Sequence, residues 1–314
     1  MAADLAVFYE HPQWFEPLFA ELDRRGVDWI GLPIQDHVFD PADRTAPARV
    51  VFNRLAMSSF LRQSEHGLFY GLAVLDHWRG CGARVVNGPA PLSFDLSKAR
   101  QLSLFARLGL GTPATRVAHR QGDIARLAAE VGYPVMVKAN IGGSGAGIIR
   151  YDDPEFLAEA AADGLCPMGV DGVALVQAYV PARGGQVIRC ETLAGRFLYA
   201  IALEGAGGSF DLCPADVCLA GKPQITVTAY EPPPAIVTAV EAIARAAQLD
   251  VGGIEYMVDE ASGQPLFYDF NALSNFVARP REVLGFEPHE ALVDFLEREI
   301  AAATPQRATA PVAS

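Results

Sequence analysis

The sequence predicts a mixed fold of α/β and α+β parts, a small parallel α/β domain followed by α+β lobes, and three observations predict it. Short apolar runs alternate with helical patterns over residues 4–90. The stretch Gly88-Pro89-Ala90-Pro91 then breaks the alternation and marks a boundary. Beyond it, strand-like runs come in pairs joined by glycine-bearing turns, as in hairpins.

In the first part, Leu5–Tyr9 is a strand, and His11-Pro12 opens a helix to about Arg25, which Gly26 ends as a C-cap. Asp28–Leu32 and Arg49–Phe52 are further strands, residues 65–79 a helix, and Arg84–Asn87 a fourth strand. In the second part, Asp95-Leu96-Ser97-Lys98 begins a helix with apolar Leu102, Phe105, Ala106 and Leu108 near helical spacing. Strands at 115–117, 134–138, 147–151 and 174–177 enclose helices near 123–131 and 154–163. Strands Gln186–Leu193 and Arg196–Leu203 meet at Ala194-Gly195, and a helix covers about 233–248. Gly253–Val258 and Pro265–Phe270 form a second hairpin, an amphipathic helix spans 289–302, and 304–314 is expected to be a flexible tail.

Composition narrows the function classes. With 51% hydrophobic and 20% charged residues the chain is globular. No apolar run reaches the ~18 residues of a membrane helix, and Met1-Ala2-Ala3-Asp4 lacks a signal-peptide pattern, so a cytoplasmic protein is expected. A net charge of −12 disfavours nucleic acid and anionic membranes as partners. Five scattered cysteines, Cys81, Cys166, Cys190, Cys213 and Cys218, lack zinc or disulfide spacing. The 25 basic residues comprise 22 arginines and three lysines, Lys98, Lys138 and Lys222.

One of those lysines ends a β-run, Val135-Met136-Val137-Lys138, immediately ahead of a loop with four glycines in the six residues 142–147. Glycines at this density let main-chain N–H groups face a ligand, and the ammonium adds a point charge, which together suit a phosphate. The lysine precedes the glycines and a strand follows them, so neither a Walker loop nor a dinucleotide fingerprint fits. A ligand-free flexible hairpin is the plain alternative. More than a hundred residues downstream, Glu255, Asp269 and Asn271 stand among apolar strand residues. Asp269 and Asn271 share a strand face with Phe267, while Tyr268 and Phe270 take the other. Two carboxylates and an amide are hard oxygen donors suited to Mg²⁺ beside phosphates, and strand-end capping is the plain alternative.

The order of these motifs resembles the ATP-grasp superfamily, nearest to its RimK-like carboxylate–amine ligases and glutathione-synthetase-type enzymes, over about residues 95–300. The resemblance implies a pre-ATP-grasp α/β domain at 1–94, a linker helix and small lobe with a glycine-rich lid at 95–177, and a large lobe with the Mg²⁺ site at 178–303. It implies ATP as cofactor with Mg²⁺, or Mn²⁺ in its place. Lys98 and Lys138 would contact phosphates, Gly142, Gly143, Ser144, Gly145 and Gly147 would form the lid, and Gln177, Ala178, Tyr179 and Val180 the adenine hinge. Arg189 would stabilise the transferred phosphoryl group, and Glu255, Asp269 and Asn271 would be the metal ligands. Ala178, Val187 and Asp269 depart from the glutamate, aspartate and glutamate usual at those positions, and Glu191 is a compensating acid for Val187.

The implied chemistry is ADP-forming: a small carboxylic acid or amino acid becomes an acyl phosphate and is joined to an amine. The expected partners are therefore small-molecule acids and amines, and related ligases are commonly homodimers. Substrate candidates are Arg54 at the end of the third strand, a structural arginine in the plain reading, with Asn275, Arg279 and Arg281. His11 and the stretch Gly207–Asp211 are weaker candidates. A nucleotide-binding regulatory or scaffold protein without turnover is the alternative that Ala178 and Val187 keep open. An oxidoreductase is disfavoured because the first domain carries no dinucleotide fingerprint.

Overall fold

Continuous apolar runs rather than strict alternation mark strands buried on both faces, and the runs at 3–9 and 48–54 are of this kind. In the computed structural model, which describes residues 3–59, 67–142, 147–205 and 225–303, the chain divides into two units. The first comprises residues 1–89 with 287–314, and the second residues 90–286. Gly143, Ser144, Gly145, Gly207–Asp211, Cys213, Cys218, Lys222 and the tail at 304–314 lie outside the described residues.

In the first unit, β1 (Ala3–Tyr9), β2 (Trp29–Pro33), β3 (Ala48–Arg54) and β4 (Arg84–Val86) form a parallel sheet in the order β2-β1-β3-β4. A 3₁₀ turn over Pro12–Phe15 precedes α1 (Glu16–Arg25), which Gly26 stops in the left-handed region at φ 68°. Helix α2 (Gly67–Gly80) follows. The C-terminal helix also belongs here, whereas the sequence reading placed 178–303 together. The helix buries Leu292, Val293, Phe295 and Leu296, and ion pairs add to that packing. On that helix Asp294 and Glu297 pair with Arg25, and Glu299 pairs with Arg84.

The second unit opens with α3 (Pro89–Asp95), where the sequence predicts only a boundary, and α4 (Lys98–Arg107), so the helix expected from Asp95 starts three residues later. Ser97 causes the restart, its hydroxyl accepting the Arg100 N–H as an N-cap. One sheet has the order β5-β8-β6-β7, from β5 (Thr115–Ala118), β6 (Val135–Ala139), β7 (Ile148–Tyr151) and β8 (Ala174–Ala178), all neighbours antiparallel. Helices α5 (Ile124–Val131) and α6 (Pro154–Ala162) pack with it around Ile124, Leu157, Val135, Val137 and Val176. Since Val135 and Val137 face that core, Lys138 points to the opposite face of β6.

The other sheet, β11-β10-β9-β12-β13, is also antiparallel. It contains β9 (Ala182–Leu193), β10 (Arg196–Gly205), β11 (Ile225–Tyr230), β12 (Val251–Asp259) and β13 (Pro265–Asn271). Helix α4 and α7 (Pro234–Ala247) cover one face through Leu102, Phe105, Val240 and Ile243, packed on Ile188, Cys190, Ile254, Tyr256, Phe267 and Phe270. The short α8 (Pro280–Leu284) ends the unit, and α9 (Pro288–Ala302) is the C-terminal helix described above. Neither β11 nor α8 was expected from the sequence. No helix of the described residues is long and apolar enough to cross a membrane.

The pairing of β12 with β13 corrects one assignment. Glu255 lies opposite Asp269, but Tyr256 lies opposite Phe267, so a bulge leaves Tyr268 unopposed. The extra residue turns Phe267 into the core beside Phe270 and brings Tyr268 to the face of Glu255. Strict alternation along β13 gives the reverse.

Candidate active site

Across the face of the second sheet opposite α4 and α7, strand register places Arg189 opposite Glu255, and Glu255 opposite Asp269. Gly253 makes the guanidinium's position possible, because a Cβ there would lie 2.5–2.6 Å from Arg189 Nη2, Cζ and Nε. Arg189 Nε donates to Glu191 Oε1 at 2.6 Å and Nη1 to Glu255 Oε1 at 3.0 Å. Glu255 also accepts from the Tyr268 hydroxyl at 3.0 Å and from Asn271 Nδ2 at 3.4 Å. All of these side chains are buried or nearly so.

Two lysines meet this cluster. Lys98, at the start of α4, donates to Asp269 Oδ1 at 2.5 Å. Lys138 is buried with its ammonium 5.7 Å from the centroid of the Tyr268 ring, within cation–π reach. Asn140 ties the two lysine-bearing segments together. Its carbonyl accepts the Lys98 N–H at 3.3 Å, its Oδ1 accepts the Ala99 N–H at 3.0 Å, and its Nδ2 donates to Asp171 at 2.6 Å. Of the glycine loop, Gly142 and Gly147 are described. Gly147 has φ 70° and its carbonyl accepts the Ala139 N–H at 2.8 Å, closing the hairpin.

Burial and mutual repulsion set the protonation of the cluster. Desolvation pushes the Lys138 ammonium down to about 8, and the neighbouring Lys98 pushes the same way. Lys98 is held above its ordinary value: its burial opposes charge, but the Asp269 carboxylate outweighs that. Burial raises Glu255, with Arg189 pulling against the rise and Asp269 adding to it. Asp95 is buried and pushed up to about 7, by desolvation first and then by Asp269.

The remaining candidates divide. Gln177 is buried, its amide donating to Thr115 Oγ1 at 2.9 Å, and the Ala178 and Tyr179 N–H groups donate to Ala114 and Pro134 carbonyls. The Tyr179 ring carries the Arg150 guanidinium at 3.9 Å. Val180 lies two residues beyond the end of β8 and is half-buried. Arg54 belongs to the first unit, 2% exposed, its guanidinium against the Phe15 and Phe52 rings. Arg279 is exposed, in the left-handed region, and paired with Glu282 at 2.9 Å. Arg281 is exposed and Asn275 half-buried with a buried Oδ1. Cys190 is fully buried and its thiol is pushed up to about 12 by desolvation.

Sequence reasoning missed three members of the site. Asp95 was read only as the start of a helix, although a carboxylate between Phe94 and Leu96 is itself a signal of a buried partner. Tyr268 was assigned to the wrong face, and Gly253 was read as an ordinary strand residue. Among the described residues, no three His, Cys, Asp or Glu side chains stand at metal-binding spacing. Glu255 and Asp269 instead carry the side-chain cations Arg189 and Lys98, with the Asn271 amide beside them.

The model of the RimK-like ATP-grasp domain matches residues 96–278, more than half of the chain. A probable alpha-L-glutamate ligase of Teredinibacter turnerae is 35% identical over 143 residues, spanning 45% of this chain and 46% of that protein. The chain thus spans about half the length of such curated relatives. Among solved structures, the ATP-grasp ligase PsnB in complex with a minimal precursor, Mg and ADP superposes with a TM-score of 0.65 at 18% identity, over 95% of this chain and 97% of that one. The D-alanine–D-alanine ligase of Bacillus anthracis gives a TM-score of 0.68 at 15% identity, over 95% and 96%. These two likenesses are of fold.

Proposed function

The chain belongs to the RimK-like ATP-grasp family, and we propose that it is an ADP-forming carboxylate–amine ligase using ATP and Mg²⁺. One observation carries the reading. Two of only three lysines in the chain stand at one buried cluster, Lys98 on Asp269 and Lys138 over Tyr268, which in turn bonds Glu255. A chain this poor in lysine and this acidic gathers compact cations where a polyphosphate needs them.

Glu255, Asp269 and the Asn271 amide oxygen would hold Mg²⁺. Their hard oxygens fit it, and the pairing of both carboxylates with side-chain cations shows that this cluster accommodates positive charge. Bound there, the ion supplies neutralisation of phosphate charge. Lys98 and Lys138 would bind the phosphates, and Val180 would offer its N–H to the base. A substrate carboxylate oxygen attacks the γ-phosphorus, and the bond to the ADP oxygen breaks. Arg189, held flat by Gly253 and aimed by Glu191 and Glu255, stabilises charge on the transferred group. The amine then attacks the acyl carbon, loses a proton, and phosphate leaves.

The donor acid is an amino acid or small carboxylic acid, with L-glutamate first to test because of the relative's name. Incubation with Mg²⁺ and ATP is expected to release ADP and phosphate only when both an acid and an amine are supplied. ATP binding with no phosphate release across a broad amino-acid and amine panel would favour the non-catalytic alternative. No nucleotide binding at all would sink both.

A further inference from the structure

β13 is the last strand of its sheet among the described residues, so beyond the Phe267 N–H, which donates to the Gly111 carbonyl at 2.9 Å, no neighbouring strand fills its outer edge there. Side chains of residues 95–101 take that place. The Gln101 amide makes both bonds of a neighbouring peptide group, accepting the Phe270 N–H at 3.1 Å and donating to the Phe270 carbonyl at 2.9 Å. Asp95 Oδ2 accepts the next outward N–H, that of Ala272, at 2.9 Å. Gln101 Nε2 also reaches the Phe94 carbonyl at 3.2 Å, which fixes the amide's orientation. Gln101 is 1% exposed and Asp95 7%, so these bonds are shielded from water.

The position of this clasp matters because of the bulge. On the β12 side, the ladder is interrupted at Tyr268, immediately before Asp269. The strand carrying two assigned ligand residues therefore has irregular support on its inner edge and a side-chain clasp on its outer edge. Phe270, which Gln101 grips, lies between Asp269 and Asn271 in sequence. Ligand oxygens must be held within about half an ångström in a functional site, and the clasp adds main-chain bonds to the strand that carries two of them.

We propose that Gln101 and Asp95 are positioning residues for the metal ligands, acting through the main chain of β13 rather than by touching ion or nucleotide. The inference rests on the function proposed above. Its test compares ADP binding across a Mg²⁺ titration with ADP binding in chelator, in the wild type and in Gln101→Met, a change of similar volume that removes both bonds. The expected result is a Mg²⁺ midpoint raised about tenfold or more, as for loss of other outer partners of a metal site, with metal-free ADP affinity changed less than about threefold. Asp95→Ala is expected to shift the midpoint in the same direction, and Asp95→Asn, which keeps an oxygen acceptor, to restore it. Ligand-free hydrogen exchange is expected to quicken in the peptide covering 266–273 of Gln101→Met.

An unchanged midpoint, or equal losses with and without Mg²⁺, would overturn the inference while leaving the ligase reading intact. A wild type that binds no ADP with Mg²⁺ would overturn both. If Gln101→Met does not fold, the Asp95→Ala and Asp95→Asn pair decides the same question, and equal behaviour of those two variants counts against the proposal.

Discussion

Arg189→Met is expected to cut the rate of phosphoryl transfer by about 10²–10³-fold, the usual cost of removing one preorganised charge donor. It is also expected to destabilise the fold by about 3–5 kcal/mol, because breaking a buried pair strands the charges left behind. Arg189 is 7% exposed, and its guanidinium is shared between Glu191 and Glu255. The pH dependence follows from Glu255. Burial raises that carboxyl, and Arg189 is the main charge opposing the rise. A carboxyl raised by folding contributes stability that is full below its unfolded pKa and is lost as pH climbs through the folded value. The stability gap between wild type and Arg189→Met should therefore narrow as pH falls from 7 toward the carboxylate range, as thermal melts will show. Adding Glu191→Gln should recover part of the stability and none of the rate. A recovered rate would mean that Arg189 serves the fold alone.

Lys138→Met is expected to act in opposite directions on binding and on the empty fold. ATP affinity should fall about 10–100-fold, the equivalent of one charge-assisted bond of ~1.5–3 kcal/mol. The ligand-free chain should become more stable at pH 7. Burial, then repulsion from Lys98, lowers Lys138 to about 8 from 10.5, so the unfolded lysine holds its proton more tightly than the folded one. Stability attributable to this group therefore rises with pH between about 8 and 10.5, and the burial penalty is fully present below 8. Phosphate oxygens brought beside the ammonium reverse that shift, so ATP binding near pH 8.5 should take up protons. Calorimetry in buffers of different ionisation enthalpy reads the uptake directly. Lys138→Met should show none, and equal uptake in both proteins would remove Lys138 from the phosphate site.

Much of the second unit was legible because local chemistry and strand period agreed. Lys138, Glu255, Asp269 and Asn271 could be selected as odd polar residues within apolar strands, and the structure gathers them with Lys98 and Arg189. Two features were not legible, each for a physical reason. A one-residue bulge reverses every facing beyond it, and nothing in the residues of β13 announces one, so Tyr268 and Phe267 were exchanged. The C-terminal helix joins the first unit by burying Leu292, Val293, Phe295 and Leu296, with ion pairs to Arg25 and Arg84, and an amphipathic period does not say which unit a helix packs on. Arg54 illustrates a third case. Its place at the end of a parallel strand is right for a ligand contact, yet its side chain is buried against two phenylalanine rings.

If this site makes an acyl phosphate, an oxygen atom passes from the acid to the phosphate. The protein is incubated with Mg²⁺, ATP, an amine panel and amino acids labelled with ¹⁸O in the carboxylate, L-glutamate among them, and the products are read by mass spectrometry. The expected products are ADP and inorganic phosphate carrying one ¹⁸O taken from the acid. Unlabelled phosphate accompanying amide product, or AMP and pyrophosphate in place of ADP, would contradict it.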